Sequence, residues 1–238
     1  MANEFKATEL ARMIDISAVQ TFHDLTDVAE LALVARSYGF IAAHVLPGFV
    51  PLLKEKLTGS DTLVGAPVGF PSGGSTTRIK LAEARDLVEA GVQEMDLMMN
   101  VGRLRSRDKE YVLGEIRAAV DAVAPVPVKV ILEIHYLTDE EIKVACEICI
   151  SGGAEYVKTS TGWAPSGATL DRVALITRFV GGAIKVKASG GIRDLDTVEN
   201  MLALGVKRFG INTDAAIAIL SQCQTRRRSA ELNATPSK

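Results

Sequence analysis

Residues 183–210 read AIKVKASGGIRDLDTVENMLALGVKRFG, and this stretch contains a whole structural unit. Ala183–Ala188 is a largely apolar run of strand length, followed by the turn residues Gly190 and Gly191. Apolar residues at helical spacing fill 194–204, Gly205 stops the helix, and Val206–Gly210 starts a second strand. Strands joined by a helical crossover run parallel. The unit before it has the same form: Ala154–Thr159 reads as a strand, 169–180 as a helix, and Gly181-Gly182 as its stop.

The alternation continues in both directions. Residues 7–12 predict a short helix leading into the brief apolar run Met13-Ile14-Asp15, and a helical pattern from Val28 runs to Gly39. Phe40–Val45, Thr62–Val68, Val92–Met98 and Pro127–Ile134 read as buried strands. Helices are expected after Pro47-Gly48 to near Leu57, then over 76–90, 108–123 and 138–151, and finally over 214–222. Eight strand-and-helix units in about 215 residues predict the α/β class, a (β/α)8 TIM barrel in a single domain covering 1–224. Residues 225–238 are polar and read as a disordered tail. No GxGxxG opens the first unit, which weighs against a dinucleotide-binding sheet.

In this fold the active site lies at the C-terminal ends of the strands. Two matched stretches end there: Val157-Lys158-Thr159-Ser160-Thr161-Gly162 and Val186-Lys187-Ala188-Ser189-Gly190-Gly191. A lone lysine at a strand end is most often a solvated charge, but two on consecutive strands are unusual. At ~5 Å and an effective dielectric near 20 they repel by roughly 3 kcal/mol, on the order of 2 pKa units. One is therefore expected to be neutral, and nucleophilic, near physiological pH. Asp96 lies inside the apolar run Met95-Asp96-Leu97-Met98, which favours a chemical role over a helix cap. Asp15 stands at another strand end, where a cap for local amides is an equal reading. Strand parity turns Tyr156 inward with Lys158, Glu94 with Asp96, and Lys185 with Lys187. Loops after the seventh and eighth strands commonly hold phosphate, and here they offer Gly190, Gly191, Arg193, Gly210, Asn212 and Thr213.

Composition excludes several other classes. The 238 residues carry 27 basic and 29 acidic side chains, a net charge of −2, so nucleic acid is not an expected partner. Hydrophobic residues make up 47% and aromatics only 5%, so the core must be aliphatic. No apolar run of about 18 residues suggests a membrane span. Cys146 and Cys149 lie within a helical pattern, and three cysteines make no disulfide framework. A reducing, cytoplasmic setting is expected. His23, His44 and His135 lack metal-ligand spacing, so no metal is implied; His44 and His135 could meet at the barrel mouth, with local hydrogen bonds the expected role for both.

The chain resembles the deoxyribose-phosphate aldolase family over about residues 10–220. The resemblance rests on GFPSGGSTTRIKLAE (69–83), EMDLMMNVGRL (94–104), KVILEIHYLTDEE (129–141), VKTSTG (157–162) and VKASGGIR (186–193). It implies a cofactor-free class I aldolase acting on sugar phosphates and small aldehydes. Lys158 would be the Schiff-base lysine, Lys187 the lysine that perturbs it, Asp96 the proton-relay acid, and Asp15 a further acid. Thr159 and Gly162 would contribute to substrate binding. A homo-oligomer is compatible with this family.

Four features depart from the family pattern. Gly210-Ile211-Asn212-Thr213-Asp214 replaces a serine pair that helps to hold phosphate, and Trp163 follows the Schiff-base motif. His44 stands where cysteine is frequent, and the C-terminal stretch lacks a tyrosine. Two other readings remain: the same mechanism on another, unphosphorylated sugar or hydroxyaldehyde, or a sugar-phosphate-binding protein without turnover.

Overall fold

The local signals produce the expected elements. Asp24 accepts from the amides of Thr26 and Asp27 to start a helix, and Gly39 ends it in the left-handed conformation that lacks a steric penalty only for glycine. Thr138 and Glu141 form a reciprocal capping box at another helix start. The computed structural model describes residues 5–234.

The eight strands are β1 (Ile14–Ala18), β2 (Ala42–Val45), β3 (Leu63–Val68), β4 (Glu94–Met98), β5 (Val128–Ile131), β6 (Tyr156–Lys158), β7 (Lys185–Ser189) and β8 (Arg208–Ile211). They close in sequence order into a parallel barrel, with β8 beside β1. The helices are α1 (Ala7–Ala11), α2 (Leu25–Tyr38), α3 (Val50–Leu57), α4 (Thr77–Ala90), α5 (Val101–Arg105), α6 (Lys109–Val123), α7 (Asp139–Ser151), α8 (Leu170–Val180), α9 (Leu195–Ala203) and α10 (Thr213–Ala234). Their apolar faces pack on outward strand residues such as Met95, Leu97, Val130, Val186 and Ala188, all buried. Register then sets the active-site end: Lys158 lies opposite Lys187, and Lys187 opposite Arg208.

Two element ends fall well away from their expected places, and one short helix was missed. β5 stops at Ile131, because Glu133 takes a left-handed backbone (φ +53°) and Ile134–Tyr136 form a 3₁₀ turn. Leu132 and Ile134 stay buried, so hydropathy continues past the strand end. α5 was not expected. The last helix runs to Ala234, so residues 225–234 are helical rather than a disordered tail; 235–238 lie outside the described residues. Arg226 anchors that extension through Asp196 and Glu199, both at 2.7 Å, and Arg227 pairs with Glu231 one turn on.

One buried ion pair fastens the helices to the site. Lys80 Nζ donates to Glu115 Oε1 at 2.6 Å and to the Met98 carbonyl at 2.8 Å, while Glu115 Oε2 accepts from Thr77. The pair ties α4 and α6 to the end of β4, two residues beyond Asp96. Lys80→Met leaves Glu115 buried without its cation, a loss of about 3–5 kcal/mol. Thermal unfolding should fall by roughly 10 °C, and Lys80→Met with Glu115→Leu should recover much of it.

Candidate active site

Strand parity carries charges into the barrel, and the barrel keeps them there. Asp15, His44, Glu94, Asp96, Lys129, Lys187 and Arg208 are all buried, and the Lys158 side chain is 12% exposed at the top. Burying one such group alone is costly, and here they answer one another. Asp96 Oδ2 lies 2.6 Å from Lys158 Nζ and 2.9 Å from Lys187 Nζ, so both lysines hold the same oxygen. Lys187 also meets Asp15 at 2.6 Å, and Arg208 bridges Asp15 at 2.7 Å and Glu94 at 3.1 Å. Lys129 lies 2.6 Å from Glu94. Three carboxylates therefore face four basic side chains, and the count balances when Lys158 is neutral.

The electrostatics follow that count. Burial pushes the Lys158 amine down; Asp96 opposes this and Lys187 adds to it, leaving the pKa at about 8. The lowering expected from lysine–lysine repulsion is present, but desolvation is the larger cause. Lys187 goes the other way: burial disfavours its charge, yet Asp15, Asp96 and Glu94 together hold it above the usual lysine range. Burial raises the Asp96 and Asp15 carboxyls, and the surrounding lysines overcome this, holding both well below the ordinary range. The barrel thus contains one lysine that gives up its proton readily and one that does not.

A pocket of about 250 Å³ opens above these groups. Asp15, His44, Asp96, Lys158 and Lys187 form its polar floor, and Phe70 and Gly162 are on its wall. Phe70 packs edge-on against Trp163 at 5.7 Å between ring centres. At the other end lie Gly190, Gly191, Arg193, Gly210 and Asn212, all expected from sequence. Asn212 Oδ1 accepts from the Ala215 amide at 2.9 Å and caps α10.

Two expected binding residues stand elsewhere. Thr159 is buried in a cross-strand clamp, donating to the Ser189 carbonyl at 2.7 Å and accepting from the Ser189 amide at 2.8 Å. Thr213 lines an adjoining cleft, as does Asp214. Lys185 is also not part of the interior: it sits at the start of β7, where the barrel opens to solvent, paired with Glu155 at 2.5 Å.

Sequence reading missed Lys129 and Arg208 and undervalued His44. Lys129 interrupts the apolar run Val128-Lys129-Val130-Ile131, the same signal that marked Asp96. Arg208 was hidden by the exposed Lys207 beside it. His135 behaves as expected, exposed and bonded to Ser166 at 2.6 Å. His44 does not: its ring joins Asp15 and Glu94 in the barrel. Donor atoms of Asp15, His44 and Glu94 lie within 4.8 Å of one another, a spacing a metal ion can use. Lys129, Lys187 and Arg208 already neutralise those carboxylates at 2.6–2.7 Å. A divalent cation would be repelled by all three.

The chain that carries this arrangement, a low-pKa lysine and a high-pKa lysine on one carboxylate, is similar along most of its length to proteins of known family. No family model matches the chain. The deoxyribose-phosphate aldolase of Sinorhizobium medicae is 60% identical over 216 residues, 90% of this chain and 87% of the relative. The chain belongs to the deoxyribose-phosphate aldolase family. The Klebsiella pneumoniae deoxyribose-phosphate aldolase is 45% identical over 229 residues, 94% of this chain and 92% of that one. The tetrameric deoxyribose phosphate aldolase of Aeropyrum pernix superposes with a TM-score of 0.81 at 29% identity, covering 93% of each chain. Membership makes the chain a lyase of the aldolase type. Among the described residues no helix is long and apolar enough to cross a membrane.

Proposed function

We propose that this aldolase reversibly cleaves 2-deoxy-D-ribose 5-phosphate to D-glyceraldehyde 3-phosphate and acetaldehyde, with Lys158 as the covalent nucleophile. The observation that carries this reading is the Lys158 amine, held at about 8 on the floor of the pocket while Lys187 beside it stays charged. A site built only to bind a sugar phosphate gains nothing from a neutral lysine. Neutral Lys158 attacks the sugar aldehyde carbon, and loss of water gives an iminium ion. Asp96 takes the proton of the substrate hydroxyl, the carbon–carbon bond breaks, and its electrons flow to the iminium nitrogen, leaving an enamine. Once the phosphorylated aldehyde has left, the enamine carbon is protonated and water releases acetaldehyde. Lys187 keeps Asp96 ionised, and Asp15 holds Lys187 in place.

Phosphate recognition falls to Arg193, the amides around Gly190 and Gly191, and the start of α10. The replaced serine pair first suggests a weakened phosphate site, with Asp214 opposing the dianion. Asp214 is exposed and lines the neighbouring cleft, so its repulsion is remote. The expected result is a preference for 2-deoxyribose 5-phosphate over 2-deoxyribose in kcat/KM. Asp214→Gly should change that ratio by less than about threefold, and Arg193→Ala should lower it by roughly tenfold or more, one charge-assisted hydrogen bond. Equal turnover of both sugars would favour the unphosphorylated-substrate reading.

Cytoplasmic location and self-association belong to the same proposal. Its support is the three buried free cysteines and the tetrameric relative. A retro-aldol assay on a panel of sugars and sugar phosphates, read by aldehyde release, tests the substrate. Cleavage of none of them would favour a binding protein.

A further inference from the structure

Asp96 conducts a proton well and stores one poorly. Against the effect of burial, the charged forms of Lys158 and Lys187 hold its carboxyl well below the usual range. Lys187 and Lys129 remain charged beside it once Lys158 has become the enamine nitrogen, so a proton that arrives there leaves again. Cleavage nevertheless requires storage. The proton is taken from a hydroxyl as the carbon–carbon bond breaks, and it is needed at the enamine carbon only after the first aldehyde has gone.

His44 has the geometry of a store. Its ring lies on β2, 4% exposed, among the carboxylates of Asp15, Glu94 and Asp96. Nε2 is 3.0 Å from Glu94 Oε1 and 3.4 Å from Asp15 Oδ2. Both carboxylates are ionised and can only accept, so Nε2 carries the hydrogen and Nδ1 keeps its lone pair. Nδ1 is buried, has no hydrogen-bond partner, and faces Asp96 Oδ2 at 3.8 Å. Two unprotonated acceptors stay apart at this distance; an O–H on Asp96 can donate to Nδ1 once the two groups close by about 1 Å. The position is made by Gly65, where a Cβ would lie 2.3–2.6 Å from three ring atoms. The cations Lys129 on β5, Lys187 on β7 and Arg208 on β8 complete the charged surroundings and hold the same three carboxylates.

We propose that His44 is the proton store of this site, acting through Asp96 rather than touching the substrate. This rests on the aldolase reading above. The hydroxyl proton passes to Asp96 while the bonding pair of the broken carbon–carbon bond enters the enamine and the C=N pair returns to nitrogen. The proton then moves to Nδ1, which restores the Asp96 carboxylate and leaves an imidazolium between Glu94 and Asp15. On return, Asp96 carries it to the enamine carbon, whose π electrons form the new C–H bond while the nitrogen lone pair re-forms C=N. Atoms and electrons balance with no other reactant.

The test is His44→Gln, whose amide can still donate to Glu94 but offers no ring Nδ1. Gly65→Ala is its companion, because it displaces the ring and alters no titratable group. In both, borohydride trapping of the iminium and KM should stay within about threefold of native. The kcat should fall at least tenfold, toward the range that positioned proton transfer contributes. Trapping that falls in step with kcat would show a purely structural role and overturn the proposal, as would an unchanged kcat. The native protein provides a check without any variant, since only three histidines contribute imidazole ¹⁵N signals. His44 should be the Nε2–H tautomer, and an Nδ1–H tautomer would overturn the proposal. Absence of trapping and turnover in the native enzyme would instead remove the aldolase reading itself.

Discussion

Lys158→Leu should abolish turnover, by roughly four orders of magnitude or more, while leaving a folded protein that still binds sugar phosphate. Covalent catalysis has no partial form: without the amine there is no iminium and no electron sink for the breaking bond. The phosphate-side residues are untouched, and Asp96 keeps Lys187 at 2.9 Å, so the fold loses little. Substrate affinity by calorimetry and turnover by aldehyde release separate the two effects. Retained turnover would mean that another group carries the chemistry. Burial, with Lys187 adding to it, brings the Lys158 amine down to about 8 against the pull of Asp96, so kcat/KM should rise with pH through that value as Lys158 loses its proton.

The second large effect is expected at Lys187. Lys187→Leu removes a fixed positive charge beside Lys158 and leaves Asp15 and Asp96 less neutralised. Both changes favour the Lys158 ammonium, so its pKa rises toward the unperturbed ~10.4. Burial still works against the charge and limits the rise. At pH 7.5 the neutral fraction falls by up to about 10²-fold, and activity falls with it. The sign is definite: part of the lost activity returns as pH approaches 10, because the rising limb of the profile moves to higher pH. A pH profile that keeps its shape while the rate drops would show that Lys187 acts by direct contact with substrate instead.

Much of this was legible in the chain because the signals are local. Gly39, Gly91 and Gly205 mark helix ends by backbone geometry, and apolar runs of strand length mark the barrel staves. The two lysines and Asp96 stood out because each interrupts or closes such a run. What failed were features that depend on partners far away in sequence. The helical residues 225–234 look like solvated tail until Arg226 finds Asp196 and Glu199 on α9. Glu133 breaks β5 through a left-handed backbone that no hydropathy pattern records. His44 reads as an ordinary histidine until Gly65, one strand over, is seen to make room for its ring. The sequence also gave the wrong emphasis to repulsion between the lysines. A carboxylate between them and the dry barrel around them only exist once eight strands have closed.

The central claim is that the balanced barrel interior leaves Lys158, and not Lys187, free to form the Schiff base. Borohydride added to the native enzyme during turnover of 2-deoxyribose 5-phosphate, followed by peptide mass spectrometry, tests it most directly. A reduced two-carbon adduct should appear on the peptide containing Lys158, and its yield should rise with pH through about 8. An adduct on Lys187, or turnover with no adduct on any lysine, would contradict the account.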